Sequence, residues 1–385
     1  MKILHFTNKP IYPVIDGGCV AMKNTADLLD LAGDEIEVTH FTLATHKHPF
    51  SAKAYPKKEE KLVYFQDIQT QIKPLQLLKN YFAYVPYNVQ RFYDEAVVET
   101  LKDLLAIHQI DTVILESIYL LPYLEVFVGQ KVFVRTHNVE WKLWEDRAES
   151  ETNPLKKIYT QHLSKQLKNY EEKELKKVDG VLSISEADNA WFKTFLPNTA
   201  VIHTSLATES HPSDYTKNDF YFLGAFDWAP NLEAITWLLE SVLKNKEHNF
   251  NIHIAGKNLN PELFKEYEFV SNHGEVEDAD AFISAHGIAL VPLQTGGGVK
   301  MKVLESLKHG KPTISTIEGV RGLDLKNEKH IALAKTEDDF FAAMLALQKN
   351  ENTRKALGLG GKQFLNDNFA PDKEAKKLLE FISNT

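Results

Sequence analysis

The sequence predicts an α/β protein made of two doubly wound parallel-sheet domains. Three observations lead there. The N-terminal part opens with a strand–loop–helix–strand unit, in which short apolar runs alternate with segments of helical periodicity. A polar stretch without periodicity, Thr208 to Asn218, interrupts this alternation, which then restarts. The length of 385 residues suits two or three domains at roughly 150 residues each.

KILHFT (Lys2 to Thr7) reads as a buried strand. A loop with Pro10, Pro13, Gly17 and Gly18 follows, then an amphipathic helix that stops at Gly33, then the strand IEVTHFTLA. DTVILES and KVFVRTHN are two further strands, preceded by the helical DEAVVETLKDLLAIHQ. One long helical stretch is expected from about Glu140 to Lys177. GVLSIS, a helix capped by Ser185, and AVIHTSLA complete the first domain, residues 1–207. After a linker at 208–217, FYFLGAF, NLEAITWLLESVLKN, FNIHIAG and PELFKEYEF continue the strand–helix alternation. DADAFISAHG, IALVPL, a glycine-led helix, KPTISTI and a late helix close a second domain, 218–371. For the last helix, 372–385, the sequence leaves either domain open as packing partner. Open parallel sheets bind ligands beyond the carboxyl ends of their strands, so a site is expected in a central cleft faced by both domains.

Composition narrows the function. Hydrophobic residues make up 43% and charged residues 25%, as in an ordinary soluble globular chain. The net charge of −9, from 44 basic and 53 acidic residues, argues against a general nucleic-acid binder. Cys19 is the only cysteine, so no intramolecular disulfide can form, which fits a reducing compartment. No apolar run approaches the ~18 residues of a membrane span, and the N-terminal apolar run is too short for a signal peptide. A cytoplasmic protein is expected, with peripheral membrane contact left open.

The stretch PLQTGGGVKMKVLESLKHGKPTIS (Pro292 to Ser315) carries the most chemistry. Gly296, Gly297 and Gly298 follow a strand and lead into a helix with Val299, Val303, Leu304 and Leu307 on one face. Free N–H groups and the helix dipole favour an anion at such a place, and glycine removes the Cβ that would hold a phosphate away. Lys300 and Lys302 add positive charge. The pattern is neither a Walker loop nor a G-x-G-x-x-G fingerprint. Glu305 lies seven residues beyond Gly298, ~10 Å along a helix, where a carboxylate suits the two vicinal hydroxyls of a ribose. The plain alternative is a tight turn followed by a solvated glutamate. Asp278-Ala279-Asp280 reads as a helix cap in preference to a metal pair. The isolated histidines His46, His48, His203 and His253 lack metal-site spacing.

This segment resembles the donor-binding stretch of the retaining glycosyltransferases of family four, which have the GT-B fold of two Rossmann-like domains. Asp16-Gly17-Gly18, VRTHNVEWKLW (Val134 to Trp144), LGAFDWAPNLEAITWLL (Leu223 to Leu239) and HGEVEDADAFISAHGIALVPL agree with it, in the same order along nearly the whole chain. The resemblance implies transfer of a sugar from a nucleotide diphosphate-sugar to a glycan or lipid-linked saccharide with retention of configuration, without a metal or another cofactor. Bacterial cell-surface polysaccharide or glycolipid assembly is the implied setting. It makes Gly17, Gly18, Glu275, Val276, Thr295, Gly296, Gly297, Gly298, Val299, Lys302 and Glu305 donor-binding residues. His137 becomes the catalytic residue, placing and stabilising charge at the donor sugar. Asp16, Asn138 and Glu140 fall on the acceptor side, where Glu140 either orients His137 or is simply exposed.

Two departures from the family pattern stand out. Gly297 occupies the place of the first glutamate of the E-x7-E pattern, and Phe226-Asp227-Trp228 replaces the usual basic pair, which shifts phosphate charge to Lys302 or Arg321. A non-catalytic nucleotide-sugar-binding protein and a nucleotide-sugar epimerase of the same fold are the alternative readings. Donor binding without turnover would favour the first, and donor conversion without acceptor the second.

Overall fold

The computed structural model describes residues 1–33, 36–55, 63–73, 80–206, 213–296 and 299–385. The chain divides into two compact units, Met1–Ser205 with Pro371–Thr385, and Leu206–Ala370.

The first unit is built on seven parallel strands: β1 (Lys2–Thr7), β2 (Glu37–Ala44), β3 (Val63–Asp67), β4 (Thr112–Glu116), β5 (Lys131–Thr136), β6 (Gly180–Ser183) and β7 (Thr199–Val201). Their order is β3-β2-β1-β4-β5-β6-β7. The chain runs outward from β1 to β3 and then returns to the other side of β1, so strand order reverses between β1 and β4. Their carboxyl ends, Thr7 and Glu116, therefore flank the switch point at which such sheets bind ligands. Helices α1 (Gly17–Leu31), α2 (Tyr87–Gln90), α3 (Glu95–His108), α4 (Glu140–Ser150), α5 (Pro154–Glu174) and α6 (Glu186–Phe192) belong to this unit. Val113, Ile114 and Leu115 are wholly buried in β4, as expected for a central strand covered on both faces.

The second unit repeats the plan with β8 (Phe220–Leu223), β9 (Ile252–Ala255), β10 (Val270–Asn272), β11 (Ile288–Val291), β12 (Thr313–Thr316) and β13 (Ala332–Ala334). The order is β10-β9-β8-β11-β12-β13, again all parallel, with the reversal between β8 and β11. Its helices are α7 (Ala229–Trp237), which continues as a π-helical turn over Leu238–Leu243, then α8 (Ala279–Ala285), α9 (Met301–Lys308), α10 (Glu337–Lys349) and α11 (Glu351–Asn368). A reciprocal capping box of Thr336 and Asp339 starts α10.

The last helix, α12 (Pro371–Asn384), returns to the first unit. Its Ala375, Leu378 and Ile382 share a core with Ile3, Leu28, Leu29, Ile114 and Phe133.

Several elements differ from expectation. The stretch Glu140 to Lys177 is two helices, because Asn153 caps a new N-terminus at Pro154 by accepting from the N–H groups of Leu155 and Lys156. PELFKEYEF forms consecutive turns, and the Asn272 side chain donates to the carbonyls of Asn260 and Leu263, which a helix would have used. Strands β3 and β13 carry too short an apolar signal to be read from the sequence. The glycine-led helix starts at Met301 with Lys300 as N-cap, so Gly296 lies in the preceding loop. Gly297 and Gly298 lie outside the described residues, as do 208–212 of the expected linker.

Candidate functional site

In the first unit, the switch point holds a buried chain of hydrogen bonds. Glu116, the last residue of β4, is wholly buried and carries two histidines, one on each carboxylate oxygen. His5 of β1 bonds Oε1 through Nε2 at 3.0 Å, and His137, just after β5, bonds Oε2 through Nε2 at 2.6 Å. On its far side, His5 Nδ1 meets His40 Nδ1 at 3.0 Å. One tautomer set satisfies every bond: His40 Nδ1–H donates to His5, and His5 and His137 each donate Nε2–H to the carboxylate. Burial raises the Glu116 carboxyl, but the hydrogen bonds from His137 and His5 outweigh it and hold the group well below the ordinary carboxylate range. His40 is held neutral, pushed down to about 3 by burial and then by the neighbouring His5. The arrangement leaves His137 Nδ1 with no protein partner among the described residues, and 13% of the side chain exposed.

Arg135 of β5 is buried nearby. Its Nη1 donates to the carbonyl of Ser183 at 3.1 Å, while Nε and Nη2 have no hydrogen-bond partner among the described residues. Burial lowers it to about 10, against the charges of Glu116 and Glu374.

Ser117 directs the chain away from Glu116 with φ 109° and ψ 151°, a region open almost only to glycine. Its N–H donates to the carbonyl of Arg135 at 3.0 Å, and its hydroxyl accepts from Tyr119 N–H. Ser117→Gly is expected to raise unfolding free energy by about 1 kcal/mol, since relief of strain exceeds the lost cap and the added chain entropy. Urea unfolding measures this, and a destabilised variant would contradict the strain.

The other expected residues of this unit are placed as follows. Asp16 caps α1 by accepting from Cys19 N–H at 2.9 Å and pairs with Lys9 at 2.6 Å. At Gly17 an added Cβ would meet no atom within 4 Å, so packing does not demand glycine there; at Gly18 it would meet the Lys9 ammonium at 2.9 Å. Glu140 does not orient His137. Its carboxylate accepts from the Tyr119 hydroxyl at 2.8 Å, and burial raises its pKa. Asn138 follows His137, between β5 and α4. Glu171 caps α4, accepting from the N–H groups of Glu140 and Trp141.

In the second unit, β8 ends at Leu223, and Gly224 leads towards α7. An added Cβ on Gly224 would meet Asn231 Nδ2 at 2.8 Å and Lys302 Nζ at 2.9 Å. Lys302 reaches this point from α9. Its ammonium lies 4.0 Å over the Phe222 ring and donates to Asn231 Oδ1 at 2.5 Å. Among the described residues it has no carboxylate partner. Part of the side chain remains open to solvent, but the ammonium is densely surrounded. Burial, and then the charge of Lys300, push its pKa down to about 7.

One turn further along α9, Glu305 lies 3.6 Å from Lys308, and burial raises its carboxyl. The buried Tyr221 hydroxyl, whose pKa is raised by burial and then by Glu305, has no hydrogen-bond partner among the described residues.

Gly296 has φ 120°, and a Cβ there would strike the Trp228 ring at 2.8 Å, so its glycine has a local cause. Thr295 donates to Glu233 at 3.1 Å. Lys300 does not point outward but donates to the Gly296 carbonyl at 2.7 Å, closing the loop on itself. Val299 packs into the apolar cluster beneath α9, and Val276 into that beneath α8. Glu275 is exposed in the loop after β10. Arg321 is largely exposed and pairs with Glu318 at 3.3 Å. Asp278 caps α8 by accepting from Ala281 N–H at 2.9 Å, whereas Asp280 accepts from His309 at 2.8 Å.

Sequence reasoning missed Glu116, His5, Asn231 and Tyr221. A signal existed for the first two, since each is a polar residue inside a short apolar strand.

Comparison with known proteins follows the same division. Residues 217–350, most of the second unit, match the family described as glycosyl transferases group 1. A Klebsiella pneumoniae protein described as an uncharacterized 44.6 kDa protein in the cps region is 22% identical, over 99% of this chain and 98% of its own. Sucrose-phosphate synthase from Thermosynechococcus elongatus superposes with a TM-score of 0.68 at 14% identity, covering 100% of this chain and 99% of that one. Anabaena HepE in complex with UDP gives 0.65 at 12% identity, with complete coverage of both chains. A further HepE structure holds UDP-glucose. The chain has the GT-B fold of glycosyltransferases, and its second unit carries the sequence match to glycosyl transferases group 1.

Proposed function

We propose that the protein is a retaining glycosyltransferase of family four that moves a sugar from a nucleotide diphosphate-sugar to a saccharide acceptor. The observation that carries this reading is Lys302: a densely surrounded ammonium beside Gly224, without a carboxylate partner among the described residues. A pyrophosphate supplies the missing negative charge, and glycine lets it approach. Lys302 thereby takes the place of the basic pair that Phe226-Asp227-Trp228 lacks. Glu305 receives the ribose hydroxyls one helical turn away, with Tyr221 behind it. HepE, which binds UDP and UDP-glucose, supports a uridine nucleotide as the first to try. The relative from a cps region supports a polysaccharide or lipid-linked saccharide as acceptor.

His137, oriented by Glu116, stabilises charge during transfer; Gly17 and Gly18 admit the donor's phosphates to the backbone; and Asp16, Asn138 and Glu140 face the acceptor. No metal or other cofactor is assigned to transfer.

The test is calorimetric titration of UDP, GDP, ADP and dTDP and their sugars into wild type and Glu305→Ala. One nucleotide series is expected to bind, and the variant to bind it about 10- to 100-fold more weakly, the worth of hydrogen bonds to a charged group. If no nucleotide binds, the glycine loop is only a turn and the reading fails. With the donor known, proton NMR of the product shows whether the anomeric configuration is retained.

A further inference from the structure

Three histidines from separate parts of the second unit meet beside β9. His253 lies on β9, His273 follows β10, and His286 joins α8 to β11. His253 Nδ1 is 2.9 Å from His273 Nε2, and the His253 and His286 rings stack at 4.0 Å. One ligand atom from each lies within 4.8 Å of the others. Asp219, just before β8, accepts from His286 Nδ1 at 2.7 Å and stands 3.7 Å from His253 Nε2. It therefore fixes the proton of His286 on Nδ1 and leaves Nε2 as the nitrogen with a lone pair.

We propose that His253, His273 and His286 bind one divalent transition-metal ion of the zinc type, with Asp219 orienting the ligands from behind. Zinc takes imidazole nitrogens at about 2.0–2.1 Å, and a tetrahedral site spaces them about 3.3 Å apart. The His253–His273 separation is within a few tenths of an ångström of that spacing, and a ligand atom of His286 lies within 4.8 Å of both. The carboxylate behind the ligands matches the outer partner that metal-binding imidazoles ordinarily have.

Two other clusters among the described residues have comparable spacing, but an ammonium occupies each. Lys9 lies 2.6 Å from Asp16 in the group with Cys19 and His48, and Lys308 lies 3.2 Å from Asp280 in the group with Glu305 and His309. Beside the three histidines, Lys311 donates to the backbone carbonyl of His286 at 2.6 Å, but among the described residues no ammonium is bonded to one of their ring nitrogens. Since His273 is exposed, the ion has an entry path and the site has room for water as a fourth ligand. A bound ion would brace the loop after β10, which carries Glu275, against β9.

The site does not depend on nucleotide binding, so it is tested separately. The full-length protein, treated with chelator and dialysed, is titrated with Co²⁺ and the visible absorption followed; Zn²⁺ is then added in competition. The expected result is one equivalent of Co²⁺ with ligand-field bands of a four- or five-coordinate nitrogen site, displaced by Zn²⁺. His273→Ala, an exposed change that leaves the fold intact by circular dichroism, should weaken binding about 100-fold. Asp219→Asn should weaken it about 10- to 100-fold, as loss of an outer-shell carboxylate does. His309→Ala should leave it unchanged. Equal affinity in His273→Ala and wild type, loss in His309→Ala, or no spectral change at all would each overturn the proposal.

Discussion

Replacing His137 by alanine is expected to lower kcat by about 10²–10³-fold, the usual worth of one group aimed at developing charge. Donor affinity should change far less. The geometry behind this is the 2.6 Å bond from His137 Nε2 to a carboxylate that has no contact with solvent. That bond fixes the ring's tautomer and presents Nδ1 outward. Glu116 is thus a positioning residue. Glu116→Gln keeps the shape and removes the charge, and should lower kcat about 10- to 100-fold, as loss of an orienting carboxylate does. Glu116→Asp should restore part of the activity. Steady-state kinetics with the donor identified by calorimetry decide the matter. Full activity in Glu116→Gln would reduce Glu116 to a structural role. Full activity in His137→Ala would remove the histidine from the reaction.

Lys302→Met should weaken nucleotide diphosphate-sugar binding about 100-fold or more, while the free protein becomes equally or more stable. Both effects come from one ammonium that has no carboxylate partner among the described residues. Bound to a pyrophosphate it makes a charge-assisted hydrogen bond in a desolvated place, and truncating one partner of such a pair costs about 2–5 kcal/mol. Alone it costs folding energy, because its pKa falls from 10.5 to about 7.

The sign follows from proton counts. Between pH 7 and 10.5 the unfolded chain keeps a proton that the folded chain releases, so this residue's contribution to stability rises with pH across that window. Below pH 7 both states hold the proton, and the full penalty remains. Lys302→Met removes the slope. Binding shows the opposite dependence. The bound pyrophosphate keeps the ammonium charged, so affinity should be flat below pH 7 and fall by up to tenfold per unit above it. Calorimetry at pH 8 in buffers of different ionisation enthalpy should show nearly one proton taken up per donor bound, and almost none at pH 6. Proton uptake that persists in Lys302→Met would assign the titration to another group.

Much of the architecture was legible because its signals are local. Apolar runs bounded by turn residues mark β1, β4, β5, β8 and β11, and Ser185 announces its helix by capping chemistry. His137 and the loop before α9 could be placed at strand ends for the same reason. What was not legible depends on contacts distant in sequence. Glu116 sits inside the apolar TVILE, and its partners are 21 and 111 residues away. A glutamate in such a strand signals a buried partner but does not say which. Lys302 could be named as a cation near the loop, yet its closeness to Gly224 and Phe222 depends on β8 and α9 meeting in the folded unit. Lys300, two residues earlier on the same run, turns inward to a carbonyl instead, and periodicity alone does not separate the two. Glu140 was the nearer acidic neighbour of His137 in sequence, but it is the strand next to β5 that supplies the carboxylate.

The return of α12 to the first unit sets an order of events during synthesis. Leu378 and Ile382 cover Ile3, Ile114 and Phe133, so the core laid down first by the ribosome stays open on one side until residues 371–385 emerge. The unit formed by Leu206–Ala370 holds all its own strands and helices before then. The half encoded second is therefore complete first, and the nascent protein exposes an apolar sheet face of its N-terminal half throughout translation of the other. Transiently exposed apolar surface of this kind is what makes an incompletely covered domain prone to aggregate.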